Sequence, residues 1–186
     1  MVRAGRCLVD VGEHYERQSY RTRTTIAGAN GVQALQVHIA RRSGEKMPMR
    51  TVGLSYAEPW HLQHLQAIRS AYGQSPWFIH YMLGIEEVLG ARHALLTGLT
   101  LATMRLACSW LGLPVPEVQQ HFVERIPPGV WDLRTALHPK KPLPSDLKPV
   151  RTYPQVFADR LGPQGRLCVI DLVMNLGPGA RQALLA

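Results

Sequence analysis

Two polar residues, Asp171 and Asn175, lie four positions apart in an otherwise apolar run near the C-terminus. Residues at this spacing are neighbours on one face of an α-helix, so a helix here would bring the two side chains together. A carboxylate buried in such a run needs a cation or hydrogen-bond donors as partners. The partner could be Arg21, Arg134 or a substrate, or the aspartate could form a purely structural ion pair with an arginine.

A second group of candidate residues is Arg21 and Arg23, which follow Glu13 and Glu16. On an extended segment, side chains two positions apart point to the same face, so both guanidinium groups could grip one phosphate or carboxylate. Alternatively, the arginines pair with the two glutamates inside a hairpin arm. The sequence alone favours this second interpretation.

Two histidines follow Trp60, and only one of them lies on an apolar helical face. His61 and His64 are three apart, but no Glu completes an HExxH pattern, so no metal site is expected. His64 shares its face with Trp60, Ile68 and Tyr72. It could act as a general acid or base near neutral pH, or it could be a packed core residue.

Other signatures of chemistry are sparse. Asp132 and Arg134 could form an ion pair with each other or with neighbours. The sequence has no nucleophile elbow, no glycine-rich phosphate loop and no GxGxxG, so no nucleotide cofactor is expected. Cys168 has no activating context and is expected to be a small core residue.

The cysteine count and hydropathy indicate a reducing compartment. Three widely spaced cysteines without a CxxC pattern predict neither a disulfide framework nor a structural zinc site. The start of the chain lacks the apolar core of a signal peptide, and the stretch 94–104, without a charge or histidine, is far shorter than the roughly 20 residues of a membrane span. We therefore expect a cytoplasmic protein without a membrane span.

Strands are predicted mainly in the first third of the chain and helices after it. Asn30-Gly31 is a strong hairpin signal between two of the strands. The predicted strands are 7–11, 24–26, 35–39, 52–56 and 115–123. The predicted helices are 60–72, 75–82 and a long, buried, central helix over 92–111, and 139–154 is a proline-rich loop. This order predicts one α/β or α+β domain over residues 1–186, with a small mixed sheet.

The net charge favours an anionic partner. Lysine and arginine outnumber aspartate and glutamate by 21 to 13, giving +8. A nucleotide, a nucleotide sugar or RNA would suit such a surface, although a basic surface that is merely solvated is as consistent with the number. A basic binding module would present one broad positive face formed by Arg3, Arg6, Arg41, Arg42 and Arg50.

Taken together, the motifs resemble the WbqC-like family of bacterial proteins. The early part of the resemblance is Glu13-x-Tyr15, Ser19-Tyr20-Arg21-x-Arg23 and Asn30-Gly31. A helical part follows, with Trp60-x3-His64-x3-Ile68-x2-Ala71-Tyr72-x2-Ser75-Pro76-x-Phe78. Later segments are Asp132-Leu133-Arg134, His138-Pro139-Lys140-Lys141, Tyr153-x-Gln155-x-Phe157 and Ile170-Asp171-Leu172 with Asn175 and Gly177-Pro178.

The resemblance implies a role in the biosynthesis of O-antigen or another surface polysaccharide. It implies transfer of glycine or another acyl group to an amino sugar, and a nucleotide-linked sugar fits the anionic partner expected from the net charge. As donor, a charged tRNA or a carrier-bound amino acid would suit a basic surface. His64 or Asp171 would then accept the proton of the attacking amine. Arg21 and Arg23 would hold the phosphates of the substrate. The full set of residues expected to bind the substrate is Arg21, Arg23, Tyr72, Asp132, Arg134, Gln155 and Asn175.

The sequence also departs from the family pattern. Thr22 stands where the family usually has Asn, Cys168 where it tends to have Ser, and Leu176 where it tends to have Glu. Family members normally begin with a further strand-and-turn segment upstream of the position of Cys7. We therefore expect a chain that lacks this segment, and a truncated, inactive relict is a third interpretation.

Overall fold

The computed structural model describes residues 6–40, 46–144, 147 and 150–185. Within them the strands are β1 (Leu8–Asp10), β2 (Arg23–Gly28), β3 (Gly31–Gln36) and β4 (Glu117–Gln119). The helices are α1 (Trp60–Tyr72), α2 (Phe78–Gly90), α3 (Leu96–Leu111), α4 (Ala158–Leu161), α5 (Val169–Leu176) and α6 (Ala180–Leu185). Short 3₁₀ turns cover Met49–Thr51 and Gly177–Gly179. The α/β class predicted from the sequence is confirmed.

The described strands form two separate two-stranded sheets, where the sequence predicts one small mixed sheet. β2 and β3 form the antiparallel hairpin that Asn30-Gly31 predicts, and Gly31 adopts the positive φ of 110° that the turn requires. β1 pairs in parallel with β4, with Leu8 opposite Glu117. The predicted strand 52–56 forms only isolated bridges through Gly53 and Leu54, because it faces single residues of neighbouring loops.

The three long helices begin and end at residues with identifiable roles. α1 has its predicted bounds, but α2 starts later than predicted, because Ser75 donates its hydroxyl to the Tyr72 carbonyl at the end of α1 and does not cap α2. α3 begins at Leu96 and not at Arg92, since Arg92 has a positive φ of 46°. It ends as predicted at Gly112, in the left-handed conformation that suits glycine.

The core is centred on α1 and not on α3. Trp60, Ile68 and Tyr72 of α1 are almost fully buried and pack with residues from the hairpin and α5, such as Ile26 and Met174. In α3 the buried residues are Leu96, Leu99, Cys108 and Leu111. The prediction of a buried central helix is therefore wrong for α3, whose middle part is only half-buried.

A long irregular segment joins β4 to α4. No helix or strand occurs in the described part of residues 120–157, which includes the predicted proline-rich loop. Side-chain hydrogen bonds hold this segment in place. Arg134, within the segment, bonds to Asp10 of β1, and Gln155, near the end of the segment, bonds to Asp171 of α5. The segment thereby carries Tyr153 and Gln155 onto the N-terminal turn of α5.

Candidate functional site

Asp171 lies in the first turn of α5, with a relative exposure of 0%. Its Oδ1 accepts a hydrogen bond of 2.9 Å from the Tyr72 hydroxyl. Its Oδ2 accepts bonds of 2.6 Å from the Tyr153 hydroxyl and 3.0 Å from Nε2 of Gln155. Three donors from distant parts of the chain thus converge on one buried carboxylate.

Two of the three donors are themselves oriented by the backbone. The Tyr72 hydroxyl oxygen accepts a bond of 3.1 Å from the Ala27 amide, which leaves its own proton for Asp171. The side-chain amide of Gln155 pairs with both backbone groups of Gln164, at 2.8 Å and 3.0 Å. β2 and the loop before α5 therefore fix the geometry around the carboxylate.

Among the described residues, hydrogen bonds and not a cation stabilise this charge. An ionised carboxylate only accepts hydrogen bonds, so three convergent donors match it. The positive end of the α5 dipole favours an anion in the first turn. Neither Arg21 nor Arg134 reaches Asp171, because both guanidinium groups pair with other carboxylates. The expected aspartate–arginine pair is therefore wrong.

The two tyrosines keep their protons at neutral pH. Burial is the main cause that raises the pKa of the Tyr153 phenol, and the neighbouring Asp171 raises it further. Burial also raises the pKa of Tyr72 strongly, with Cys168 and Asp171 adding to the effect. Both phenols consequently act as hydrogen-bond donors to Asp171.

Asn175 is close to Asp171 but does not touch its carboxylate. The helix and the four-residue spacing are as predicted, yet the Asn175 side chain donates a 2.7 Å bond to the Asp171 backbone carbonyl. This bond stays within one turn of α5. Asn175 therefore supports the helix that carries the carboxylate.

An apolar cleft of about 320 Å³ adjoins this cluster between α3 and α5. Tyr153 forms part of its wall and carries its hydroxyl to Asp171. The lining residues come from α3, α5, α6 and the segments around 113, 150 and 167; they are Met104, Ala107, Cys108, Leu111, Leu113, Val150, Tyr153, Leu167, Cys168, Val169, Leu172 and Leu184. The carboxylate thus lies behind a tyrosine on the wall of a cavity.

Cys168 lines the same cleft and precedes the first residue of α5. Burial raises the pKa of its thiol, so the thiol is protonated at neutral pH. Its backbone amide donates a 2.9 Å bond to Thr25 of β2. These features fit the packing role predicted from the sequence.

Arg21 and Arg134 belong to a second cluster, in which carboxylates engage both guanidinium groups. Arg21 makes a two-pronged contact with Glu13, at 2.6 Å and 2.9 Å, and a bond of 3.2 Å to Glu16. Its Nη2 also donates to the Arg134 carbonyl. Arg21 therefore has the glutamate partners that the sequence favours over a shared phosphate.

Arg134 links the irregular segment to the first strand. It contacts Asp132 at 2.7 Å and the buried Asp10 at 3.0 Å. It also donates a bond of 2.8 Å to the Val123 carbonyl. The predicted pair of Asp132 and Arg134 thus exists, and it holds the segment against β1.

His64 and Arg23 form a third group at the open end of the hairpin. Nε2 of His64 lies 3.2 Å from the Gln36 carbonyl, and Arg23 donates a bond of 3.4 Å to the Gln36 side chain. His64 is 8% exposed, and burial lowers its pKa to about 4, so it is neutral at pH 7. Eight residues of helix, about 12 Å, separate it from Tyr72 and the Asp171 cluster.

The family profile that matches this sequence is that of the WbqC-like protein family, over residues 7–127. This range covers more than half of the 186 residues. The chain belongs to the WbqC-like protein family. No curated protein and no solved structure matches it.

The family match divides the candidate residues of this WbqC-like protein. Arg21, Arg23, His64 and Tyr72 lie inside residues 7–127, whereas the other predicted site residues lie beyond the match. The buried carboxylate cluster therefore joins Tyr72 from the matched part to three residues from the unmatched part: Tyr153, Gln155 and Asp171.

The predicted site residues do not converge on one pocket. Tyr72, Gln155, Asp171 and Asn175 meet around the first turns of α5. The others form the Arg21–Asp132–Arg134 cluster and the pair of Arg23 and His64. These residues are separated because the hairpin and the irregular segment each satisfy their own charges locally.

Sequence reasoning missed Tyr153 as a site residue. It belongs to the Tyr153-x-Gln155 motif, in which only the glutamine was selected. The alternating spacing of the motif was an available signal, because on an extended segment both side chains share a face. In the WbqC-like structure both do reach Asp171.

The broad basic face expected of a binding module has no support among the residues described. Arg6 pairs with Glu117 at 2.6 Å, and Arg50 donates to the Gln120 carbonyl. Arg3, Arg41 and Arg42 lie outside the described residues.

The described part of this WbqC-like chain has no group of three or more His, Cys, Asp or Glu side chains that could hold a metal ion. No helix in that part is both long and apolar enough to cross a bilayer.

Proposed function

We propose that this protein is an acyltransferase that acts on the amino group of a nucleotide-linked sugar during surface-polysaccharide biosynthesis. The resemblance to the WbqC-like family supports the polysaccharide context. The observation that carries the chemistry is the buried Asp171 carboxylate, bonded at 2.6 Å to a tyrosine on the wall of a cleft. This arrangement suits the removal of a proton from an attacking amine.

The reaction needs an activated acyl donor, such as an ester or thioester on tRNA or on a carrier. The neutral amine attacks the acyl carbon, a C–N bond forms and the bond to the leaving oxygen or sulfur breaks. As the amine proton passes to the Tyr153 oxygen, the phenol proton passes to Oδ2 of Asp171. The same path returns a proton to the leaving group, so the enzyme ends in its starting state.

Asp171 is better placed than His64 to accept this proton. His64 directs Nε2 at a backbone carbonyl, which can only accept, so the ring donates from this nitrogen. The His64 ring also packs against the Trp60 ring, with the two ring centroids 5.2 Å apart. His64 is not among the described residues that line the cleft. We assign His64 to packing.

Arg23 is a better candidate than Arg21 for contact with the phosphates. Within the described residues Arg23 makes a single long hydrogen bond, whereas Glu13 and Glu16 engage Arg21. Arg23 lies two residues, about 7 Å, along β2 from Thr25, whose carbonyl bonds to Cys168 at the start of α5. We place the substrate phosphates at Arg23, on the strand whose Thr25 carbonyl bonds to the residue before α5.

The test is amide formation, followed by mass spectrometry, with a nucleotide-linked amino sugar and a panel of acyl thioesters. We expect a product with wild-type protein and a loss of about 100-fold or more with Asp171→Asn, because the amide cannot accept the proton. Asp159→Asn, at an exposed position of α4, is the matched control and should retain the activity. Equal activity in wild type and Asp171→Asn would contradict the proposal.

A further inference from the structure

The cleft beside Tyr153 extends along α3. Its lining on this helix runs from Met104 through Ala107 to Leu111, a separation of seven residues or about 10 Å. Leu172 of α5 and Leu184 of α6 also line it. We call this cleft, with its row of α3 residues, the trough.

The lining that the structure describes is uncharged. None of these twelve residues is Asp, Glu, Lys, Arg or His, and among them Tyr153 supplies the one hydroxyl group. That hydroxyl already donates to Asp171. A phosphate or a zwitterionic amino acid would lose its hydration here without gaining a charged partner, whereas a hydrocarbon gains by leaving water.

The volume sets the length of a hydrocarbon that fits. An engineered cavity of about 150 Å³ in another protein holds benzene, with six carbons. The trough, at about 320 Å³, is roughly twice that size. Its volume and its length both fit an extended chain of about eight to twelve carbons.

We propose that this trough binds the unbranched aliphatic chain of an acyl group, with the acyl carbonyl placed at Tyr153. The proposal rests on the acyltransferase function above and narrows it, because the group transferred is then a medium-length fatty acyl group and not glycine. A free fatty acid and its thioester have the same aliphatic chain and differ only in the group attached to the carbonyl carbon.

The experiment measures thermal unfolding and calorimetric binding with octanoate, with the octanoyl thioester of N-acetylcysteamine, and with acetate and glycine as controls. A ligand in hundredfold excess over its Kd raises the Tm of a protein this size by about 5–10 °C. We expect this shift with both octanoyl compounds and none with acetate or glycine. No shift with either octanoyl compound would overturn the proposal.

The two octanoyl compounds also distinguish the source of the acyl group. Tighter binding of the thioester identifies an activated donor as the ligand, and tighter binding of octanoate identifies a free fatty acid. Both outcomes support the proposed site.

Two variants locate the binding. Ala107→Trp fills the trough from α3, and Val150→Trp blocks it from a rim position that is 42% exposed, where a larger side chain leaves folding intact. Each should weaken octanoate binding by about tenfold or more. Ser109→Trp, on the exposed side of the same helix, is the matched control and should bind as wild type does. Unchanged binding in both trough variants would overturn the proposal, as would a wild-type dimer that either variant dissociates, since a second copy would then fill the trough.

The proposed function and the trough can fail separately. Tyr153→Phe should bind octanoate but not transfer it, because only the hydroxyl is lost. If octanoate binds in the trough and no acyl compound is transferred, the acyltransferase function fails and the binding site stands. If glycine is transferred and octanoate does not bind, the function stands and the trough proposal fails.

Discussion

The Asp171 carboxylate accepts hydrogen bonds from two phenols and one amide. Tyr72 lies in α1, and Tyr153 and Gln155 lie in the irregular segment before α4. Since no cation pairs with it among the described residues, this buried charge depends on each of these donors. The two phenols differ in their surroundings, since Tyr72 lies in the core and Tyr153 lines the cleft. One can therefore serve stability while the other serves chemistry.

Replacing each tyrosine by phenylalanine separates these roles. Tyr72→Phe leaves both the Ala27 amide and Oδ1 of Asp171 without a partner, so we expect a loss of about 2–3 kcal/mol of unfolding free energy. Tyr153→Phe removes one donor from Oδ2, which keeps Gln155, and should cost about 1 kcal/mol. Urea denaturation measures both, and a larger loss for Tyr153→Phe would contradict this assignment.

His64 makes the unfolding free energy of the protein depend on pH. Burial lowers its pKa in the folded protein to about 4 from 6.5, so between these values the unfolded chain binds more protons. Stability contributed by the neutral ring is complete above about pH 6.5 and is lost as the pH falls to about 4. The difference corresponds to about 3 kcal/mol.

Urea denaturation of wild type and His64→Gln from pH 7 to pH 4 measures this effect. The variant should show a flatter pH dependence, because glutamine does not titrate. His80→Gln, at an exposed position of α2, is the control and should follow wild type. A His64→Gln profile as steep as that of wild type would show that other groups cause the acid sensitivity.

At the scale of elements, α5 brings the site together, and its C-terminal end fixes how it packs. Gly177 follows α5 with a φ of 56°, and a Cβ there would lie 2.3 Å from ring atoms of Trp77. The Trp77 amide also donates to the Met174 carbonyl within α5. The turn at Gly177 thus sets the position of α5 against the start of α2.

Gly177→Ala should therefore be strongly destabilising. It combines a strained backbone with a clash against a large ring, and we expect a loss of about 2–4 kcal/mol. Gly179→Ala, two residues away with no atom within 4 Å of the added Cβ, should change stability by less than about 0.5 kcal/mol. Similar melting temperatures for the two variants would contradict this account of the turn.

The same elements show what local sequence patterns can predict. The hairpin at Asn30-Gly31, the bounds of α1 and the shared helix of Asp171 and Asn175 all depend on neighbours within a few residues, and these predictions are confirmed. The start of α2 is wrong, because the Ser75 hydroxyl bonds backward to Tyr72 and not forward. The local backbone geometry at Ser75 decides whether its hydroxyl bonds to the end of α1 or caps the start of α2.

The partners of Asp171 could not be predicted in this way. Tyr72 is 99 residues away, and Tyr153 arrives through a segment without regular structure that follows no periodic pattern. The sequence left Arg21 and Arg134 open as partners, but these two arginines pair with Glu13 and Asp10. Local ion pairs therefore engage two of the residues that the family resemblance implies for substrate binding.

At the scale of the whole molecule, the charged and apolar candidate surfaces occupy different places. Arg21, Arg134 and their carboxylates connect the irregular segment to the N-terminal strands, while the described lining of the cleft between α3 and α5 is uncharged. The formal charge of +8 therefore does not describe this cleft.

The most direct test of this account is the rate of amide formation by Tyr153→Phe compared with Tyr20→Phe, a tyrosine that is exposed and distant in sequence from the cleft. Both variants retain an aromatic ring and lose one hydroxyl. The account predicts that Tyr153→Phe loses about 100-fold or more in kcat while Tyr20→Phe keeps the wild-type rate. Wild-type kcat in Tyr153→Phe would contradict the proton path from the amine through Tyr153 to Asp171.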